Sequence, residues 1–462
     1  MRRARSATGK VVAGIAVSLV AATLIQPASA QDASPKALAP KTAIAHHANA
    51  RLVDLSRPVD LHAAYINHRA AEPTIGVDRT GNAFYAAAET ITFTREIPSI
   101  DVLRSSDGGS KWEVVSPSVG DLLNVHASTG DPYVFVDNHK EGSRVFTVDL
   151  QGYVCSLLSF SDDGGNTWTT NPFGCGRPVN DHQTLFSAPP VSSTTIGYPN
   201  LIYYCFQEVT SSSCSKSLDG GLSFIPAGTT SFPAFDDPTG EMCGALHGHG
   251  FGAGDGSIYI PKVHCGLPWL AISRDEGATW ERTQVARMPA AGHDASVAVD
   301  RAGNIYYAFI SKDLLPYLVV SRDDGKSWGK PMMVGSPGVT ESSLPSIAIG
   351  PTSEVVVGYM GTETMKRDGS NAETWNGYLT TTANALARNP LLLSVQTNLD
   401  SDPLLRGTCP QTKCGPVYDF IDVVIDDTGS VWGAFIDGCT QVCVKTESPN
   451  DAQAGLAIRW QL

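Results

Sequence analysis

Acidic and imidazole side chains recur along this chain just ahead of short apolar runs. Glu72 precedes PTIGV, Asp131 precedes PYVFV, Asp181 and His182 precede QTLF, and His247 and His249 sit in HGHGFGAG. His293 and Asp294 precede ASVAV, and Asp419 precedes FIDVV. Carboxylates brought close together raise one another's pKa, and imidazoles beside them titrate near neutrality. Such a set suits general acid/base work, or a hard divalent cation held by oxygen and nitrogen. In HGHG the two histidines alternate along an extended stretch and so face one side, with glycine leaving room for a ligand. The competing expectation is structural: residues at strand entrances hydrogen-bond to neighbouring units and seal a hub. No motif requires a cofactor.

The elements that must position these residues are visible as two repeats. One is the frame Ser-x-Asp-x-Gly-x-x-aromatic, found as SSDGGSKW (105–112), SDDGGNTW (161–168), SLDGGLSF (217–224), SRDEGATW (273–280) and SRDDGKSW (321–328). The other is a hairpin, seen in TIGVDRTGNAFYAA (74–87), SVAVDRAGNIYYAF (296–309) and DVVIDDTGSVWGAF (422–435), where alternating apolar residues flank an Asp-x-x-Gly turn. Copies recur at a spacing of roughly fifty residues without helical patterning, which indicates an all-β propeller of four-stranded antiparallel blades. Weaker copies bring the expected number to seven, or six if residues 360–417 are an insertion. Within the frame, glycine at the fifth place permits a backbone that side chains disfavour, and Ser and Asp bond the turn's own backbone. The closing aromatic is expected to staple the hairpin.

Aligning the inner strands on their turns puts Glu72, Asp131, Asp181, His247, Asp294, Leu344 and Phe420 at equivalent entrances, with His182, His249, His293 and Asp419 as neighbours. In a propeller these converge on one face around the axis.

The frame resembles the Asp box of sialidases and other bacterial-neuraminidase-repeat proteins, over residues 71–462. That resemblance implies a propeller with Asp boxes on the rim and an active site at the mouth of the central channel. It implies glycan substrates, three arginines on a sugar carboxylate, an Asp acid/base, and a Tyr nucleophile assisted by a Glu. Tyr418, opening the last inner strand, and Glu341, just before the sixth, match the last two roles. Ala71 and Glu72 stand where the first arginine belongs, and SSLPSIAIGPTSEVVVGYMG (342–361) contains no arginine. The reading is a glycan-active enzyme, most simply a glycoside hydrolase. Its candidate acids and bases are Asp131, Asp181 and Asp294, with Tyr418 and Glu341 as a nucleophile pair. Glu72, His182, His247, His249, His293 and Asp419 are its candidate substrate-binding residues. Two alternatives remain: a non-catalytic propeller that binds glycan or protein, and a polysaccharide lyase with His249 or Tyr418 as base.

Residues 1–30 read as a signal peptide, with a basic start, an apolar stretch and Ala28-Ser29-Ala30 as the cleavage site, so the mature chain is expected to be exported. No cysteine follows the cleavage site to take a lipid anchor. Residues 31–70 read as a leader followed by a strand that closes the ring. The ten cysteines fall in close pairs (Cys155/Cys175, Cys205/Cys214, Cys243/Cys265, Cys409/Cys414, Cys439/Cys443), expected as disulfides in an oxidising compartment. A net charge of −13 argues against nucleic acid and anionic membranes as partners.

Overall fold

Seven four-stranded antiparallel blades, the sixth extended by further strands, are arranged as a β-propeller in the computed structural model, which describes residues 44–47, 50–54, 61–69, 71–88, 100–117, 131–151, 155–171, 180–234, 243, 246–292, 294–364, 370–409, 414–417, 419–440, 442–446, 449–451 and 454–461. The signal-peptide segment and Cys175 lie outside these residues. From the hub outward, blade 1 comprises Thr74–Val77, Ala83–Ala88, Ile100–Ser105 and Glu113–Val114. The inner strands of blades 2 to 6 are Tyr133–His139, Asp181–Ala188, Phe251–Gly252, Ser296–Val299 and Glu341–Ile349, and Asp422–Ile425 is that of blade 7. Each touches the next, and Asp422–Ile425 touches Thr74–Val77, so the circle closes. Residues 360–417 are not an insertion: Thr374–Thr382 and Leu391–Gln396 are the outer strands of blade 6.

Blade 7 takes its outermost strand from the other end of the chain. Leu61–Arg69 lies antiparallel to Ala454–Gln461, with Leu61 opposite Trp460 and Ile66 opposite Gly455. Upstream, Ala50–Asp54 adds in parallel to Leu391–Gln396 of blade 6. Without Leu61–Arg69 the whole ladder edge of Ala454–Gln461 would be bare, a template for aggregation. A chain beginning at Ala71 is therefore expected to elute as aggregate in size-exclusion chromatography, and a chain beginning at Leu61 as one folded species. Identical elution would show that the strand is dispensable.

The core is divided among the blade interfaces. Phe84, Val102, Val134 and Val145 fill the first, Phe146, Leu158, Leu185 and Tyr204 the second, and Trp375, Trp432, Phe435 and Trp460 join blades 6, 7 and 1. Four disulfides are formed among the described residues: Cys205–Cys214, Cys243–Cys265, Cys409–Cys414 and Cys439–Cys443. They are compatible with an oxidising, extracellular setting. Among the described residues no helix is long and apolar enough to cross a membrane.

The five frames fold alike. The first-place serine (Ser105, Ser161, Ser217, Ser273, Ser321) donates its hydroxyl to the third-place Asp and accepts the N–H of the fifth-place glycine. The Asp accepts the N–H of the seventh residue. The fourth place also lies at positive φ, with glycine in three frames, Glu276 (60°) and Asp324 (64°) in two. The frames bind blades together as well as closing hairpins. Arg104, Arg144 and Arg274 each donate to the fourth-place carbonyl of the following blade's frame (Gly164, Gly220, Asp324). The closing aromatic reaches further than its own hairpin: Trp168 Nε1 donates to Val115 O, and Trp280 Nε1 to Thr229 O, both on the preceding blade.

Candidate functional site

The first regularly paired residues of the inner strands are Thr74, Tyr133, Thr184, Phe251, Ser296, Ser346 and Asp422. Two places earlier stand Glu72, Asp131, His182, His249, Asp294, Leu344 and Phe420. This row differs from the expected one in blades 3 and 4, where His182 and His249 replace Asp181 and His247. In blade 3 the cause is a register shift between Asp181 and Thr184, matched in blade 6 between Ser343 and Ser346. Glu72, Asp131, His182 and Leu344 carry φ of 52°, 50°, 47° and 56°, left-handed values that side chains ordinarily avoid.

Part of the expected acid set is committed to sealing the ring. The Glu72 carboxylate accepts the Asp131 N–H at 2.7 Å, and the Asp131 carboxylate accepts the His182 N–H at 2.7 Å. One tier down, Thr74 Oγ1 accepts Val134 N, Thr184 Oγ1 accepts Gly250 N, Ser296 Oγ accepts Ile347 N and Ser346 Oγ accepts Val423 N. Asp422 Oδ2 completes the belt by accepting Ile75 N at 3.1 Å. Buried N–H groups at blade junctions need partners, and these side chains supply them.

The remaining functional groups gather around this belt. Glu72, Asp131 and Asp419, all buried, each offer a carboxylate oxygen within 4.8 Å of the others. Twice a calcium–oxygen distance is about 5 Å, so these are the described residues whose spacing suits a hard cation. Cys243, His264 and Cys265 also cluster, but the two cysteines are joined to each other. Burial first, then the charge of Asp419, raises the Asp131 pKa above its ordinary value. Asp181 is half-buried at the edge of the group, and burial followed by the charge of Asp131 pushes its carboxyl up to about 7.

Across the mouth, His182 Nε2 lies 3.3 Å from Asp294 Oδ1. Phe420 meets the rings of His182 and His249 edge-on at 5.2 and 4.8 Å, and His249 meets Tyr133 at 4.9 Å. This aromatic group plugs the hub. A void of about 10 Å³ remains among His182, His249, Asp294 and Phe420, and a channel of about 360 Å³ runs along the axis beyond it. His249 Nδ1 faces Asp422 Oδ1 at 3.9 Å on the channel side.

His247 stands behind the plug, fully buried. Its Nδ1 donates to Gly248 O at 2.8 Å, and burial, then His182, drive its pKa down to about 3, so the ring is neutral. The glycines of HGHG serve close packing and leave no space for a ligand: a Cβ on Gly248 would lie 1.6 Å from Ala295 O, and one on Gly250 2.3 Å from Phe186 Cε1. Opposite His247 is Lys262, fully buried, donating to Gln207 Oε1 at 3.2 Å and lowered by burial to about 8. Sequence reasoning missed this lysine, although a charge inside the apolar run IYIPKVH is itself a signal of a buried polar group. Glu341 is buried at the start of blade 6's inner strand, paired with Thr362 and upstream of the bulge, off the hub row. Tyr418 and His293 lie outside the described residues.

No protein-family model matches the chain, and no curated protein matches it in sequence. Among solved structures it is similar to a Dyadobacter fermentans protein of unknown function, with 16% identity over 88% of this chain and 99% of that one, TM-score 0.44. It is similar to the intramolecular trans-sialidase of Ruminococcus gnavus in complex with oseltamivir carboxylate, with 11% identity over 86% and 95%, TM-score 0.40. The Aleuria aurantia lectin bound to Fucα1-6GlcNAc gives 12% identity over 67% and 91%, TM-score 0.43.

Proposed function

We propose that the polar mouth is the active site of a secreted glycan-active enzyme that hydrolyses a glycosidic bond, with Asp181 as proton donor. One observation carries this reading: Asp181 is half-buried at the mouth and holds its proton up to about 7 because of burial and the neighbouring Asp131. A leaving-group oxygen needs an acid that is still protonated at working pH, and two carboxyl groups in unequal surroundings provide an acid and a base. Asp294, beside His182, takes the role of base toward water in this scheme. Glu72 and Asp131 hold the blades and shape the field around Asp181. Tyr418 with Glu341 is the candidate nucleophile pair if the reaction passes through a covalent intermediate.

The experiment is mass spectrometry of products after incubating the protein with sialylated glycans and a polysaccharide panel. Fragments carrying one added water establish hydrolysis. Fragments carrying a double bond overturn it in favour of elimination. A second reading, glycan binding without turnover, is favoured by the commitment of Glu72 and Asp131 to blade sealing and by the absence of an arginine at the first strand entrance. Binding on a glycan array with no product after long incubation establishes that reading instead.

A further inference from the structure

We infer that His182 is the positioning residue of the mouth: its buried imidazole holds Asp294 in place to take a proton from the attacking water. The inference rests on the hydrolase reading above and adds to it the residue on which the base depends. The register shift before Thr184 brings His182 into the hub row. Its side chain is 1% exposed, against 8% for Asp294. The ring is thus shut away from substrate and acts through its neighbour.

His182 is constrained from several blades at once. Its backbone N–H donates to the Asp131 carboxylate of blade 2 at 2.7 Å, and to Asp181 Oδ1 of its own strand at 3.1 Å. Its ring is wedged between Phe420 of blade 7 and His247 of blade 4, which meet it edge-on at 5.2 and 5.9 Å, and His249 lies tilted to it at 6.0 Å. With main chain and ring both held, Nε2 stands 3.3 Å from Asp294 Oδ1 of blade 5. A carboxylate this deeply buried needs a charged or hydrogen-bonding partner. Shifting a reacting group by about 1 Å can cost about 10²-fold in rate. Leucine at 182 would fill the space between Phe420 and His247 but offer Asp294 no donor. Glutamine carries an N–H donor the same number of bonds from Cα as Nε2, and so keeps the contact without the ring.

Two measurements on the full chain test this. Nitrogen-15 NMR of the histidine rings, with the His182 signals assigned by their loss in His182→Gln, reads whether Nε2 carries a proton and needs no turnover. A protonated Nε2 is expected. An unprotonated Nε2 overturns the inference, because the ring would then turn a lone pair toward the carboxylate. The second measurement is the kinetics of His182→Leu and His182→Gln on the member of the glycan panel that the wild type cleaves. His182→Leu should lower kcat about 10²-fold with KM changed by less than about twofold, and His182→Gln should regain about tenfold of that loss. Equal losses in the two folded variants, or a more active His182→Leu, overturn the inference in favour of a packing role. Should His182→Leu misfold, His182→Asn replaces it: its donor falls short of Asp294, so it should lose as much as leucine. A protonated Nε2 in a protein that forms no product overturns the hydrolase reading instead, so the two failures are told apart.

Discussion

Replacing Glu276 by glycine is expected to destabilise the protein by about 1–3 kcal/mol, although glycine is the residue that the local backbone prefers. Glu276 occupies the fourth place of its frame at a φ of 60°, where three sibling frames carry glycine. Local conformation alone would favour Glu276→Gly. The carboxylate opposes this. Its Oε1 accepts the N–H groups of Val191, Ser192 and Ser193 at 2.8, 2.7 and 2.8 Å, and its Oε2 accepts from the Ser193 hydroxyl and from Lys216 Nζ at 2.9 Å. The side chain is 1% exposed. Removing it leaves three part-buried backbone donors and the Lys216 ammonium without their shared acceptor between blades 3 and 4, and leaving donors unpaired costs more than the bonds themselves contribute. Urea denaturation of wild type and Glu276→Gly measures the difference. A neutral or stabilising result would mean that water fills the nest and that the carboxylate contributes nothing net.

The same network sets a pH dependence. Although burial alone would raise it, hydrogen bonds from Ser193 and Ser192 and the Lys216 partner hold the Glu276 carboxyl far below its ordinary 4.5. A lowered folded-state pKa gives stability that is present above the unfolded value and is lost as pH falls toward the folded one. The gap between wild type and Glu276→Gly should therefore be widest above pH 4.5 and narrow in more acidic solution.

The second large effect is expected in turnover. Asp181→Asn should lower kcat on any glycan the protein cleaves by about 10²–10⁴-fold, the usual contribution of a positioned acid. Wild-type activity should fall with an alkaline limb near 7, where Asp181 loses its proton. Asp131→Asn keeps an acceptor for the His182 N–H but removes a neighbouring charge, so Asp181 becomes more acidic and the limb moves to lower pH. That shift separates a positioning role from a merely structural one, which would change stability and leave the limb in place. Stability has the opposite sign from the Glu276 case. A carboxyl raised from 3.8 to about 7 stabilises the fold fully below 3.8, and that contribution is lost as pH rises through 7. Relative to wild type, Asp181→Asn should thus look more stable at pH 8 than at pH 5. Undiminished turnover in this variant would remove Asp181 from the mechanism.

The sequence by itself determined the blades. Two short repeats at regular spacing are local signals, because a Ser/Asp/Gly turn and an alternating hairpin are specified by the residues within them. That is why all five frames and the seven-fold architecture were legible, along with the presence of acids and imidazoles at strand entrances. Four features were decided only in the tertiary structure. A register shift before Thr184 moved His182 into the hub row in place of Asp181, since a bulge adds a residue without changing the periodicity on either side. Trp168 and Trp280 reach the preceding blade, and Glu276 fills a nest made by Val191, Ser192 and Ser193, some eighty residues away in sequence. Glu72 and Asp131 read as chemistry in the sequence and serve as staples in the ring, because the N–H groups they satisfy belong to other blades. A residue's type announces what bonds it can make; which partner takes them is fixed by the ring closing on itself.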